Sequence, residues 1–199
     1  MINRLENHGR KKRYVLHKYK WDRCHLTWAF RDPFLLFRTE KDYQIAKSII
    51  SNAIKTWEQD SGGILKFTNI SPKNRNTWRN VRRFAQLDII FAYYEHGDGE
   101  KFDGPGGLIA HTGYPIEGII HFDASEKWSA RRKDDDFLDL RYVALHEIGH
   151  ALGLRHSTYK NAVMNPYYSN RPDGELKLSK DDIFGIQELY QNCQAVRKM

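Results

Sequence analysis

Three histidines and one glutamate in the segment HEIGHALGLRH have the types and spacing of a catalytic metal site. His146 and His150 lie four positions apart, so on a helix they share one face and can bind one zinc ion. Glu147 can act as the general base on a water at that metal. Gly153 ends the helix, which lets the chain turn and bring His156 to the same ion. Three protein ligands leave a fourth position open, and the alternative of a helix with solvated or core histidines fits this extended motif poorly.

A second group of possible ligands precedes this motif in a segment rich in Gly, His and Asp: His96, Asp98, His111 and His121. Four nitrogen and oxygen ligands without a spare position are typical of a closed, structural zinc site. Carboxylates suited to calcium are interleaved with them: Asp103, Asp123 and Glu126. The alternative is a polar, glycine-rich loop with surface charges.

The elements that must position these residues are predicted from hydrophobic periodicity and capping signals. One helix begins after Thr39 and ends near Ser61, a second covers 137–152, and a third begins after Ser179. Strands are predicted at 25–30, 65–67 and 88–93, with short apolar runs at 108–110 and 118–122. Strands with one helix among them, followed by helices, indicate a single α+β domain.

Composition and charge exclude several classes of protein. The chain has 199 residues, of which 40% are hydrophobic, and it contains no apolar run near the roughly 20 residues of a membrane span. The net charge is +7, but much of it lies in the first thirteen residues, so we expect no nucleic-acid partner. That basic start also lacks the apolar stretch of a signal peptide. The two cysteines, Cys24 and Cys193, could pair with each other, bond to a neighbouring domain or remain free.

The chain resembles the matrix metalloproteinases, or matrixins, of the metzincin clan. The resemblance covers about Tyr14 to Tyr190 and rests on the segments HGDGEKFDGPGG, HFDASEKW, HEIGHALGLRHS, AVMNP and LSKDDIFGIQELY. It implies a twisted five-stranded mixed sheet with three helices, and an active-site cleft between an upper and a lower subdomain. It also implies that Met164 lies in a tight turn beneath the catalytic zinc.

The resemblance assigns both metal sets. It implies two zinc ions, one catalytic on His146, His150 and His156 with Glu147 as general base, and one structural on His96, Asp98, His111 and His121. It implies at least one calcium, bound by the side chains of Asp103, Asp123 and Glu126 and by the carbonyls of Gly104, Gly106 and Leu108. The connection TGYPIEGII departs from the family: it is short and lacks the ligands of a second calcium, which Asp88 would help to bind.

The resemblance implies a metalloendopeptidase that hydrolyses internal peptide bonds of extracellular or secreted proteins. The substrate would add as a strand along the edge that contains Ile109 and Ala110. The primed-side pocket would be walled by Tyr142, Val143, Asn165, Pro166 and Tyr167, with Tyr142 at its inner end. Proteinaceous metalloproteinase inhibitors are expected partners, and we expect a monomer. A binding module that has lost catalysis would lack the general base, and Ser157 after the third histidine favours a matrixin over other metzincins.

The resemblance also divides the chain. Residues 1–13 would be a propeptide remnant, 14–190 the catalytic domain, and 191–199 a linker or the start of another module. The basic cluster before Tyr14 is either a solvated stretch or a convertase site in the secretory pathway, consistent with a secreted or cell-surface protein. After cleavage the Tyr14 ammonium would pair with Asp181, which would bring the two ends of the domain together. A disulfide between Cys24 and Cys193 is therefore one of the alternatives for the cysteines, and it can be tested. The short connection and the cysteine after the last helix are most similar to the cysteine-array matrix metalloproteinases.

Overall fold

A five-stranded mixed sheet forms the larger layer of the fold. The computed structural model describes residues 12–75, 85–130, 136–167 and 176–193. The described residues form nine strands, five of them in the main sheet and four in two small two-stranded sheets. They are β1 (Val15–Leu16), β2 (His25–Arg31), β3 (Lys66–Asn69), β4 (Leu87–Ala92), β5 (Ala110–Thr112), β6 (Ile119–Asp123), β7 (Trp128–Ser129), β8 (Leu138–Asp139) and β9 (Leu154–Arg155). The sheet order is β3-β2-β4-β6-β5, in which β5 alone is antiparallel to its neighbour.

Burial follows from the position of each strand in the sheet. Every residue of the central strand β4 is buried, as expected where a parallel strand is covered on both faces. In contrast, β5 pairs only with β6 among the described residues and lies at the edge of that sheet. That edge is therefore available to another extended chain.

Three helices lie within the described residues: α1 (Glu40–Asp60), α2 (Leu140–Ala151) and α3 (Lys180–Tyr190). The Thr39 side chain caps α1, and the buried residues of that helix lie mostly three or four positions apart, on one face. Trp57 joins α1 to α2, because its indole N–H donates to the Leu145 carbonyl at 2.9 Å. None of the three is both long and apolar enough to cross a membrane. The predicted α+β matrixin fold, with a five-stranded mixed sheet and three helices, is confirmed.

The second helix begins later than its sequence predicted. The prediction of 137–152 was wrong at the start, because β8 pairs with β7 before the helix begins at Leu140. Asp139 then caps α2 by accepting a hydrogen bond from the backbone of Arg141. At the other end Gly153 has φ of 104°, a conformation that favours glycine. The chain turns there into β9, which pairs with β1.

The two cysteines form a disulfide. Cys24 and Cys193 have Cα atoms 5.7 Å apart, and their bond joins positions separated by 169 residues. Of the three alternatives for the cysteines, the structure therefore shows the first, in which they pair with each other. A cross-link that closes so long a loop restricts the unfolded chain and stabilises the fold by about 2–4 kcal/mol. The start of the sheet is thereby fixed to the end of α3.

Candidate metal centres and active-site cleft

Three histidines converge at the end of α2. His146 and His150 project from that helix, and His156 follows β9 after the turn at Gly153. Their ring centroids lie 4.7 to 5.3 Å apart, and one ligand atom of each lies within 4.8 Å of the others. The helix spacing and the glycine turn therefore bring together the ligands that the motif predicted.

Backbone carbonyls orient the first two imidazoles. The Nδ1 atom of His146 lies 2.7 Å from the Val163 carbonyl, and Nδ1 of His150 lies 2.7 Å from the Leu154 carbonyl. Because a carbonyl can only accept, each Nδ1 must carry the proton, and each Nε2 keeps a lone pair for a metal. This donor set fits zinc, which three neutral imidazoles bind with one position left open.

Burial lowers the pKa of two of these imidazoles. It lowers the pKa of His150 to about 3, aided by repulsion from His146. It also lowers the pKa of the more exposed His156. A metal competes with protons for the same lone pairs, so depressed pKa values favour metal binding at neutral pH.

Met164 packs directly beneath the histidine-bearing helix. It is 1% exposed, and a methyl group at Gly149 would lie only 2.3 Å from its sulfur. The Met164 turn is held from below by Asp182, whose carboxylate accepts from the backbone N–H groups of Val163 at 2.9 Å and Met164 at 3.1 Å. Sequence reasoning missed this role of Asp182, although its place three residues after the cap Ser179 signals a capping box.

Gly149→Ala is expected to destabilise the protein by about 1–3 kcal/mol and to weaken zinc binding. The added methyl group would meet both the Met164 sulfur and the Trp57 ring, and would displace the part of α2 that carries His146 and His150. Denaturant unfolding and zinc titration measure the two effects. Adding Met164→Ala makes room, so the double variant should lose less stability than the two single variants together. Unfolding of Gly149→Ala at the wild-type denaturant concentration would contradict the close packing.

Glu147 is held by a side chain that the sequence did not identify. It is 8% exposed, and its Oε2 accepts a hydrogen bond of 2.6 Å from the hydroxyl of Thr112 in β5. Thr112 lies 35 positions earlier in the chain, so no local spacing links the two residues. Only the packing of the edge strand against α2 brings them together.

A cleft of about 340 Å³ contains the histidine centre. Its lining includes most residues predicted for substrate binding: Ile109, Ala110, Tyr142, Val143, Asn165 and Pro166. Tyr167, also predicted for the pocket, is not part of this lining and is 66% exposed, so its role stays a prediction. Its backbone N–H donates to the Asn165 side chain at 3.2 Å. Tyr142 is 3% exposed, with its phenol inside the protein.

The second ligand set also converges. Asp98 Oδ2 lies 2.8 Å from both His111 Nε2 and His121 Nδ1, and 3.1 Å from His96 Nε2. His121 Nδ1 also lies 3.0 Å from His96 Nε2 and 3.2 Å from His111 Nε2. A tetrahedron with zinc–nitrogen bonds of about 2.0 Å has edges of about 3.3 Å, so these four atoms fit a closed zinc site. Nδ1 of His96 lies 2.7 Å from the Tyr94 carbonyl, which leaves its Nε2 lone pair for the metal.

The proposed calcium ligands are arranged more loosely. Glu126 accepts from the Gly106 N–H at 2.6 Å, and Asp103 accepts from the Leu108 N–H at 2.9 Å. In the described residues two groups of ligand atoms converge within 4.8 Å. The carboxylates of Asp103, Asp123 and Glu126 belong to neither group. However, Asp123 is fully buried and its Oδ2 has no hydrogen-bond partner among those residues. An unpartnered buried carboxylate oxygen suits a cation, so this loop fits calcium through Asp123.

Asp88, the ligand expected for a second calcium, already has a cationic partner. Its carboxylate is 2% exposed and is bound by two nitrogens of Arg31, one of them at 2.7 Å. The guanidinium supplies the positive charge that this buried carboxylate requires. The residues around Asp88 therefore do not fit a second calcium.

Tyr14 and Asp181 line one cavity near the start of α3. This cavity of about 510 Å³ is larger than the cleft, and the described residues place no converging ligand set in it. The Tyr14 hydroxyl donates to Glu188 at 2.6 Å, while Asp181 accepts from Ser157 at 2.6 Å. In the continuous chain, Asp181 is therefore bound to the residue that follows the third histidine.

Comparisons with known proteins agree with this geometry. The model of the Matrixin peptidase family matches residues 20–191. The chain is 37% identical to matrix metalloproteinase-15 of Homo sapiens over 185 residues, which are 91% of this chain and 26% of that protein. It is 37% identical to stromelysin-3 of Mus musculus over 194 residues (96% and 35%), and 36% identical to matrix metalloproteinase-2 of Drosophila melanogaster over 196 residues (96% and 23%). The chain spans about a third or less of the length of these relatives.

Proposed function

Since this chain belongs to the matrixin family, we propose that it acts as a zinc-dependent endopeptidase on extracellular or secreted proteins, with 14–190 as its catalytic domain. The observation that carries the proposal is the convergence of three histidines in the cleft that also contains Glu147. A binding module would not need a carboxylate beside an open metal position.

The chain's own residues have distinct parts in the proposed hydrolysis. His146, His150 and His156 would hold the zinc, which supplies Lewis acidity that lowers the pKa of a water to about 7 and polarises the scissile carbonyl. Glu147 takes the proton of the attacking water and passes it to the leaving amine. The orientation of the ligands by the Val163 and Leu154 carbonyls supports this assignment.

The substrate is proposed to bind as an antiparallel strand along β5. This strand is at the sheet edge, and Ile109 and Ala110 line the cleft beside it. Main-chain hydrogen bonds would supply affinity there, and side-chain pockets would supply selectivity. The side chain after the cleaved bond would enter between Tyr142, Val143 and Pro166.

Tyr142→Ala is expected to widen the substrate range. The buried phenol shortens the pocket, so the wild type should prefer Leu or Ile after the cleaved bond over a long aromatic group. Each methylene of fit is worth about 1–3 kcal/mol, so the preference is graded. The ratio of kcat/KM for matched peptides with Leu or biphenylalanine at that position measures it. Tyr19→Ala, which changes an exposed tyrosine outside the cleft lining, should leave the ratio unaltered. Equal cleavage of both peptides by wild type and Tyr142→Ala would contradict this role.

Cleavage of a peptide library tests the function itself. We expect internal bonds to be cut, activity to disappear with a chelator, and activity to return with zinc. Elemental analysis should find two zinc ions per chain, with the second on His96, Asp98, His111 and His121, and at least one calcium. Zinc binding without any cleavage would favour the binding-module alternative.

Processing and location are part of the proposal. We infer that a convertase cuts after Arg13 and that the new Tyr14 ammonium replaces Ser157 as the partner of Asp181, with which Tyr14 shares a cavity. Residues 1–11 and 194–199, which include most of the proposed remnant and linker, lie outside the described ranges. The protein would then be secreted or at the cell surface, monomeric, and open to proteinaceous metalloproteinase inhibitors.

A further inference from the structure

We propose that Thr112 is a positioning residue for Glu147: its hydroxyl holds one carboxylate oxygen so that the other faces the attacking water. The inference rests on the proposed role of Glu147 as general base. Its basis is the 2.6 Å hydrogen bond from Thr112 Oγ1 to Glu147 Oε2, which joins the edge strand to the helix of the catalytic motif.

The two carboxylate oxygens have different surroundings. Oε2 accepts from Thr112, and this is the only hydrogen bond of the Glu147 side chain within the described residues. Thr112 and Glu147 both line the cleft together with His146 and His150. The carboxylate is therefore fixed at one oxygen and available at the other, which suits a group that must receive a proton in a defined direction.

Thr112 is itself well placed to hold a carboxylate. It pairs with Ile120 in the sheet, and the next residue, Gly113, donates its N–H to the Ile119 carbonyl at 3.0 Å. Its β-branched side chain has restricted rotation, so the hydroxyl is not free to swing away. A hydroxyl bound to a carboxylate forms a short, strong hydrogen bond. Without it, the Glu147 side chain would sample several rotamers.

Positioning of the base makes a kinetic prediction. The hydrogen bond orients a group that acts in the chemical step, so its loss should lower kcat and leave KM nearly unchanged. A purely structural role would instead reduce stability or zinc content. A substrate-binding role would raise KM.

The test compares Thr112→Val, which keeps the shape and removes the hydroxyl, with Thr112→Ser, which keeps the hydroxyl. We expect Thr112→Val to lower kcat about ten-fold, as the loss of a hydrogen bond to a charged group does. KM, zinc content and thermal midpoint should be close to those of the wild type, and Thr112→Ser should recover most of the loss. Thr56→Val removes a hydroxyl in α1 that donates to the Asn52 carbonyl, and it controls for the substitution itself.

The Glu147→Ala background separates this proposal from the proposed function. If Thr112 acts through Glu147, adding Thr112→Val to Glu147→Ala should change the residual turnover less than about two-fold. If Thr112→Val keeps the wild-type kcat while Glu147→Ala is impaired, the positioning role is overturned and the proposed function is left intact. A raised KM, lost zinc, or no recovery in Thr112→Ser would also overturn it. Full activity of Glu147→Ala would overturn both proposals.

Discussion

Glu147→Ala is expected to lower kcat by about 10²–10⁴-fold, the usual contribution of a positioned base. The residue lies in the cleft beside the three histidines but is not itself among the converging ligands. Zinc content and the unfolding midpoint should therefore remain near their wild-type values. Steady-state kinetics on a cleaved peptide, with elemental analysis of the same sample, measure both quantities.

The control for this variant removes a carboxylate elsewhere. Glu58→Ala eliminates an exposed pair with Lys66 at the far end of α1 and should leave kcat unchanged. Near-wild-type turnover in zinc-loaded Glu147→Ala would show that another group takes the proton. Loss of zinc from that variant would instead indicate that Glu147 supports the metal site.

The sequence was most informative where chemistry depends on local spacing. His146 and His150 occupy one helix face because of the α-helical repeat, and Gly153 can adopt the backbone that turns the chain toward His156. The three ligands were therefore predictable without a fold. The same holds for the α3 cap, because Ser179 and Asp182 are three positions apart.

Contacts between distant elements could not be predicted in this way. Thr112 reaches Glu147 only after β5 has packed beside α2, and Asp182 reaches the Met164 turn only after α3 has docked. The Arg31 partner of Asp88 comes from a neighbouring strand of the sheet. Each partner is set by tertiary packing, for which residue spacing along the chain carries no signal.

Errors at element ends have a local physical cause. The prediction began α2 at 137 and so included 138–139, because periodicity cannot distinguish an apolar residue next to a helix from a strand residue. The structure uses these two residues to pair with β7, and Asp139 then caps the helix.

His121→Ala is expected to remove one zinc per chain and to destabilise the fold by about 4 kcal/mol when free zinc is a thousand-fold above its dissociation constant. His121 lies in β6, and the cluster joins it to His111 in β5 and to the preceding loop through His96 and Asp98. Since β5 has three residues and one strand partner, loss of this link should also lower activity toward peptides. His25→Ala, which removes a histidine bonded to Thr68 outside the cluster, is the matched control.

His121→Ala should also change how the stability of the fold depends on pH. Burial lowers the pKa of His121 to about 4, below the 6.5 of an unperturbed histidine, with repulsion from His111 adding to the effect. Between these values the unfolded chain binds the proton that the folded protein excludes, so stability is complete above about pH 6.5 and falls as the pH drops toward 4. In the presence of a chelator, His121→Ala should lose less stability across this interval than the wild type. Parallel stability curves for the two proteins would contradict the lowered pKa of His121. Two zinc ions retained by the variant at neutral pH would contradict a closed zinc site that includes His121.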